Sequence, residues 1–336
     1  MTVLRRLPSI AVLVALLAVP AVIAGQVWLP GSAGVFILGS LPATIAVVVV
    51  GAKRALQIAV AAAAGGALAA AFAGNAWVGA LIIAALAGYG GYSARYGNES
   101  PVLLVPVVVA FIVIAPPSLT DRAGNTLMGL NYAVVVGISL LIGGVWVALL
   151  GMYLARNLER AKDEPVERSV ALGYGIALAL STGISTFIAA YYFPGSTGAW
   201  VILTILLVMK PRPTDMWRTA RHRVGGTLVG AVVAGALVIG MDELGIPRDS
   251  WSTFLGAVFL VLALSFIRVR PYWQYVTLLT PAIILLKSGG DDTLNLDAQR
   301  VVMTIIGTLV ALAFAVVVRE IHFKFNGASW SEPVKR

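Results

Sequence analysis

Cysteine is absent from this chain of 336 residues, and histidine occurs only at His222 and His322. Disulfides, thiolate metal sites, cysteine nucleophiles and histidine-rich metal centres are therefore excluded. Charge is scarce as well. Asp, Glu, Lys and Arg make up 12% of the chain, against about 25% in soluble domains. A water-facing surface cannot be built from so few charges at this size, so lipid must cover most of it. Acids are missing where they would matter most: no Asp or Glu falls in the middle of a long apolar run, and Glu99, Asp242 and Glu320 stand at run ends. Proton-coupled carriers commonly relay through intramembrane carboxylates or histidines, so proton exchange finds no obvious residue here. The signatures of serine hydrolases, zinc proteases and P-loop NTPases are also missing, and no span holds paired carboxylates. The expectation is a protein that is not an enzyme and uses no cofactor or metal.

What remains is apolar: 59% of residues are hydrophobic and the net charge is +9. In a soluble protein that charge would suggest nucleic acid. Here the cations sit in short loops between apolar runs, which is the pattern of membrane orientation, so nucleic acid is not expected as a partner. About 20 apolar residues cross a bilayer. Twelve runs qualify: 9–27, 33–51, 55–73, 76–94, 101–117, 130–154, 169–191, 197–210, 223–241, 252–269, 272–288 and 299–319. The first could be a secretory signal, with Arg5 and Arg6 ahead of it and small residues near Ala24. The repeat described below favours a retained helix. With the N-terminus in the cytoplasm, only Arg122, Arg248, Lys287 and Arg300 of the 24 cations lie outside, while the 15 acids divide almost evenly. A bias confined to cations is what orientation requires, and it puts both termini inside.

Two stretches match at an offset of 164 residues. Gly31-Ser32-Ala33-Gly34-Val35-Phe36 opens the second run and Gly195-Ser196-Thr197-Gly198-Ala199-Trp200 the eighth, each preceded by proline (Pro30, Pro194). Trp77 and Trp251 start the fourth run of each half, Pro106 and Pro281 interrupt the fifth, and Gly137 and Gly307 lie in the sixth. The fold class expected is an all-α integral membrane protein of about twelve transmembrane helices, arranged as two parallel six-helix repeats. The first repeat is 1–154, a charged cytoplasmic linker is 155–168, the second repeat is 169–319 and the tail is 320–336. A homo-oligomer is compatible with this organisation.

The densest chemistry lies between Trp200 and Gly235. One apolar run stops at Lys210. A loop with Lys210, Arg212, Arg218, Arg221 and Arg223 follows, with Asp215 as its one acid, and a glycine- and alanine-rich run then begins. On a helix Arg218 and Arg221 share a face at i, i+3, and Arg223 points elsewhere. The cluster reads two ways. Its arginines can snorkel to anionic membrane lipids, or they can gather a carboxylate through paired hydrogen bonds. On the outer side, Arg300 and Lys287 run against the orientation rule; they either pair with Asp291, Asp292 and Asp297 or form the far end of an anion path. Small residues at Thr227, Gly230, Ala234 and Gly235 suit close helix packing in lipid. Trp200, Tyr272, Trp273 and Tyr275 suit an interfacial belt, and rings beside cations could also hold an aromatic carboxylate. The candidate substrate-binding set is Arg223, Arg221, Arg218, Lys210, Arg300, Thr227, Trp200, Trp273 and Tyr275.

The Trp200 run ending in a V-x-K-P turn, followed by Arg223-x-x-Gly226-Thr227-x-x-Gly230, resembles the fusaric acid resistance protein family. So does PYWQYVTLLTPAIILL with the Arg300 and Gly307-Thr308 that follow it. The likeness covers about 170–320 and extends, more distantly, to plant malate-type anion channels. It implies a transporter that exports organic anions, aromatic carboxylic acids among them. Compactness and an alanine-rich, cysteine-free composition point to a bacterial source and so to an inner membrane. The linker and tail are too short for the large cytoplasmic domains that many family exporters carry. A channel, or a non-transporting scaffold or lipid-binding protein of an envelope complex, are the alternatives.

Overall fold

The computed structural model describes residues 31–154, 163–246, 248–266, 271–287 and 293–326, together with Ile23. Among these residues regular structure is helical, apart from one isolated bridge between Thr120 and Thr126. The described residues form two compact units. The larger holds 31–213 and 310–326, and the smaller holds 214–309.

The larger unit begins at Gly31, whose φ of 84° suits glycine, and α1 (Ser32–Val49) follows. Then come α2 (Ala52–Ala71) and α3 (Ala76–Tyr92). The Asn75 side chain caps α3 by accepting from the Val78 N–H at 3.2 Å. A 3₁₀ turn (Ser93–Tyr96) leads to α4 (Glu99–Val102), a single turn, and α5 (Leu104–Ile114). The Asp121 carboxylate shapes the next loop by accepting from the N–H groups of Ala123 and Asn125, both at 2.8 Å. After α6 (Gly129–Leu154) the chain resumes at Asp163 and forms α7 (Arg168–Tyr192) and α8 (Ala199–Val208).

Glycine sets the contacts here. A Cβ on Gly39 or Gly143 would strike the backbone of α6 or α1, and one on Gly144 would strike Ala59 of α2. α3 and α7 run antiparallel with backbones nearly touching: a Cβ on Gly91 would lie 2.7 Å from Gly175 Cα, and one on Gly175 would lie 2.6 Å from Gly88 O. Apolar burial gives little drive in lipid, so this close approach supplies the van der Waals contact that holds the pairs.

The smaller unit contains α9 (Pro213–Glu243), α10 (Arg248–Phe266), α11 (Tyr272–Lys287) and the start of α12 (Thr293–Asn326). Val238, Met241 and Leu285 are buried together, with Leu255 and Phe259 beside them. Gly256 lets α10 approach α11, since its Cβ would sit 2.9 Å from Leu286 N.

Among the described residues seven helices are long and apolar enough to cross a membrane: 32–49, 52–71, 76–96, 129–153, 168–192, 215–243 and 298–317. Four more apolar helices among them are shorter: 99–114, 199–208, 251–264 and 272–286. The chain is thus a multi-pass membrane protein, helical throughout its described regular structure. The full count of twelve spans does not emerge, for local reasons. The expected 197–210 shrinks to ten residues because Met209 turns extended at ψ 128°, and Lys210 before Pro211 disfavours helix. The expected 101–117 starts earlier, at Glu99, and ends at Ile114, just before Pro116-Pro117. The ten residues of α8 reach about 15 Å, half of a ~30 Å hydrocarbon core. The expected first span, 9–27, lies outside the described residues except for Ile23. The two motif glycines do share a conformation: Gly31 and Gly195 stand at φ 84° and 75°. Gly31 closes on Ser118 O, and the Gly195 N–H donates to Ile114 O at 2.8 Å, so both meet the chain leaving α5.

Candidate functional site

In α9 the spacing Arg223, Gly226, Thr227, Gly230 forms one face, at steps of three and four. α11 lies on that face. A Cβ on Gly226 would come within 2.8 Å of Trp273 O, and one on Gly230 within 2.7 Å of Thr277 O. The missing side chains let α11 approach, and that approach buries their neighbours. Arg223 is 4% exposed and Thr227 3%. The Arg223 guanidinium donates from Nη1 to the Tyr272 hydroxyl at 3.3 Å.

Arg300 comes from α12 and is 6% exposed. Thr304 and Thr308, one and two turns further on, are buried too, and the Thr308 hydroxyl donates to Thr304 O at 2.7 Å. The charges of Arg223 and Arg300 both bear on the Tyr275 hydroxyl, with Tyr272 one turn away. The two rings stand 6.1 Å apart between centroids. Two buried guanidinium groups and two phenols from three helices thus surround one region of the smaller unit. Thr280, fully buried in α11, turns its hydroxyl onto Val276 O at 3.0 Å and adds no free polarity.

The sequence-nominated residues divide. Arg223, Tyr275 and Arg300 come together, with Thr227 one turn from Arg223 on the same buried face. Arg218 and Arg221 point away and are exposed, as their i, i+3 spacing implied. Trp273 keeps 42% of its surface exposed, and its carbonyl faces Gly226. Lys210 and Trp200 belong to the larger unit, where Trp200 meets Phe111 edge-on at 5.3 Å. Arg212 pairs with Glu164 at 2.5 Å, both side chains at least half exposed, so the contact is worth little. Arg300 lies in α12, two turns beyond Thr293, rather than in a loop. Asp291 and Asp292 lie outside the described residues, as do the side chains of Asp297 and Lys287. Sequence reasoning weighed Tyr272 as a belt aromatic or a ring beside cations and left it out of the candidate set. Its position one helical turn before Tyr275 was the available signal.

The larger unit holds a separate, apolar cavity of about 430 Å³ where α2, α3, α5 and α7 end, lined by Phe72, Asn75, Val113, Pro116 and Pro194 among others. Among the described residues no group of three or more His, Asp or Glu could hold a metal ion.

The region that contains the arginine face has known relatives. Residues 184–314 match the family model described as fusaric acid resistance protein-like. That stretch is similar to the fusaric acid resistance protein-like family. It runs from the second half of α7 through most of α12, so it includes Arg223, Tyr272, Tyr275 and Arg300. No match was found among curated proteins or among solved structures. The match and the apolar helices together fit a multi-pass membrane protein.

Proposed function

We propose that this protein exports organic anions, aromatic carboxylates foremost, across a bacterial inner membrane. The burial of Arg223 and Arg300 around Tyr272 and Tyr275 supports this reading above all. A cation inside a membrane helix bundle is costly and marks a pathway or ligand site. Guanidinium groups clasp carboxylates through charge-assisted hydrogen bonds. Phenol rings beside them offer an aromatic acid a surface to stack on. Arg218, Arg221 and Lys210 would draw anions to the cytoplasmic mouth and hold anionic lipid there. An inside-negative potential favours the outward step by about 2.3 kcal/mol per charge per 100 mV.

The test is flux in proteoliposomes under an imposed potential, over a panel of aromatic and aliphatic carboxylates. Arg223→Ala should reduce transport roughly ten- to a hundredfold, the loss expected for one charged hydrogen bond, while the protein still inserts. Flux that saturates with substrate indicates a carrier, and current that does not saturate indicates a channel. Undiminished transport in Arg223→Ala removes the arginine from the path. No flux of any acid turns the reading toward the scaffold.

A further inference from the structure

Three short segments of the larger unit converge on one carboxyl group. The turn 93–100 leaves α3, residues 163–166 lead into α7, and 209–212 follows α8. The end of the linker lies directly on the turn. The Val166 N–H donates to Ala94 O at 3.2 Å, and the Ser100 N–H donates to the Asp163 carboxylate at 3.0 Å. Gly97, at φ +65°, has no room for a Cβ because Asp163 O occupies the place. From α2, Arg54 donates to the Asn98 side chain at 3.1 Å.

Glu99 sits beneath this contact, ahead of the apolar helix α5. It is 8% exposed, and its Oε2 is buried with no hydrogen-bond partner. Charged and titratable groups face it from each neighbouring element: Asp163 from the linker, Lys210 and Arg212 from beyond α8, and Tyr174 from α7. Burial first, and the Asp163 carboxylate second, push the Glu99 acid up to about 7; its own backbone N–H, Lys210 and Arg212 pull the other way and are outweighed.

We propose that Glu99 is a proton-binding site whose occupancy sets whether Asp163–Val166 stays docked on the turn 93–100. With the proton bound, a neutral carboxyl group lies beside Asp163 without repulsion. When the proton leaves to water, two carboxylates face each other where little water can solvate them. The relief available is for Asp163 to leave the Ser100 N–H and for water to enter. Ionisation of one buried acid is thereby converted into release of the charged linker. The inference concerns the larger unit and holds whether or not the chain exports anions.

The test needs no transport substrate. Infrared difference spectra of the purified protein in lipid vesicles, taken across a pH titration, report protonated carboxyl groups. Hydrogen exchange at the Ser100 and Val166 amides, corrected for intrinsic rates, reports docking. The native protein should lose one carboxylic acid signal with a midpoint near neutrality. Above that midpoint the two amides should exchange roughly tenfold faster, the factor of one pKa unit. Glu99→Gln should lack the signal and keep both amides protected throughout. Asp163→Asn, which retains an acceptor for Ser100, should move the midpoint to lower pH. A signal unchanged in both variants overturns the proton site, and protection equal on either side of the midpoint overturns the linkage to docking.

Discussion

At the residue scale, Arg223 and Glu99 show how differently two charges can be buried. Arg223 lies on a glycine-cleared face and gives a hydrogen bond to Tyr272. Glu99 Oε2 has no such bond and is held against a second carboxylate. Its acid is therefore raised from an ordinary 4.5 to about 7. The folded protein holds that proton more tightly than the unfolded chain, so stability falls as pH rises through this window and is flat above it. The cost of ionised Glu99 is on the order of 3 kcal/mol. Glu99→Gln should accordingly raise the thermal midpoint at pH 8 and leave it nearly unchanged at pH 4.5, as read by unfolding scans in detergent. A native-like midpoint at pH 8 would mean that the carboxyl is solvated. Arg223 was legible in the sequence because it is the last of a cationic cluster and opens a small-residue run. Glu99 was not: it was placed at a span end, and nothing along the chain says that 163–166 folds over it.

At the element scale, α3 and α7 make a close backbone contact, where Gly91 and Gly175 leave no room for side chains. Gly175→Val would push a branched side chain into the Gly88 carbonyl and the Tyr92 amide. It should lower stability by ~1–3 kcal/mol or more, as overpacking does. Gly173→Val, which meets nothing within 4 Å, should be tolerated. Detergent melting of the two variants side by side checks this, and equal midpoints would show that the helices separate easily. Two long helices were readable to within a residue: 130–154 became Gly129–Leu154, and 169–191 became Arg168–Tyr192. Unbroken hydrophobicity marks such runs. Two others were read too short: 223–241 became Pro213–Glu243, so Arg218, Arg221 and Arg223 stand on helix rather than in the expected loop, and 299–319 became Thr293–Asn326. The short helices misled because apolar composition continues past the helix end, through Ala115 in one case and Met209 in the other.

At the scale of the whole molecule, the bias of cations to one side is the strongest topological argument available. It predicts that green fluorescent protein fused after Arg336 fluoresces in the cytoplasm, and that alkaline phosphatase inserted at Gly124 is active outside. The reverse pattern would invert every assignment of inner and outer ends. The two compact units were not legible as such, because the contacts that define them join residues distant along the chain.

The short helix α8 bears on how the protein is made. It reaches about 15 Å, too little to bridge the bilayer alone. The chain ahead of it is joined to the end of α5 by the bond from the Gly195 amide to the Ile114 carbonyl, and Phe111 braces Trp200 beside it. Ile114 leaves the ribosome some 80 residues before that amide exists. This junction is therefore completed only after α7 has been made, and a ribosome stalled before Gly195 would leave the Ile114 carbonyl without that donor.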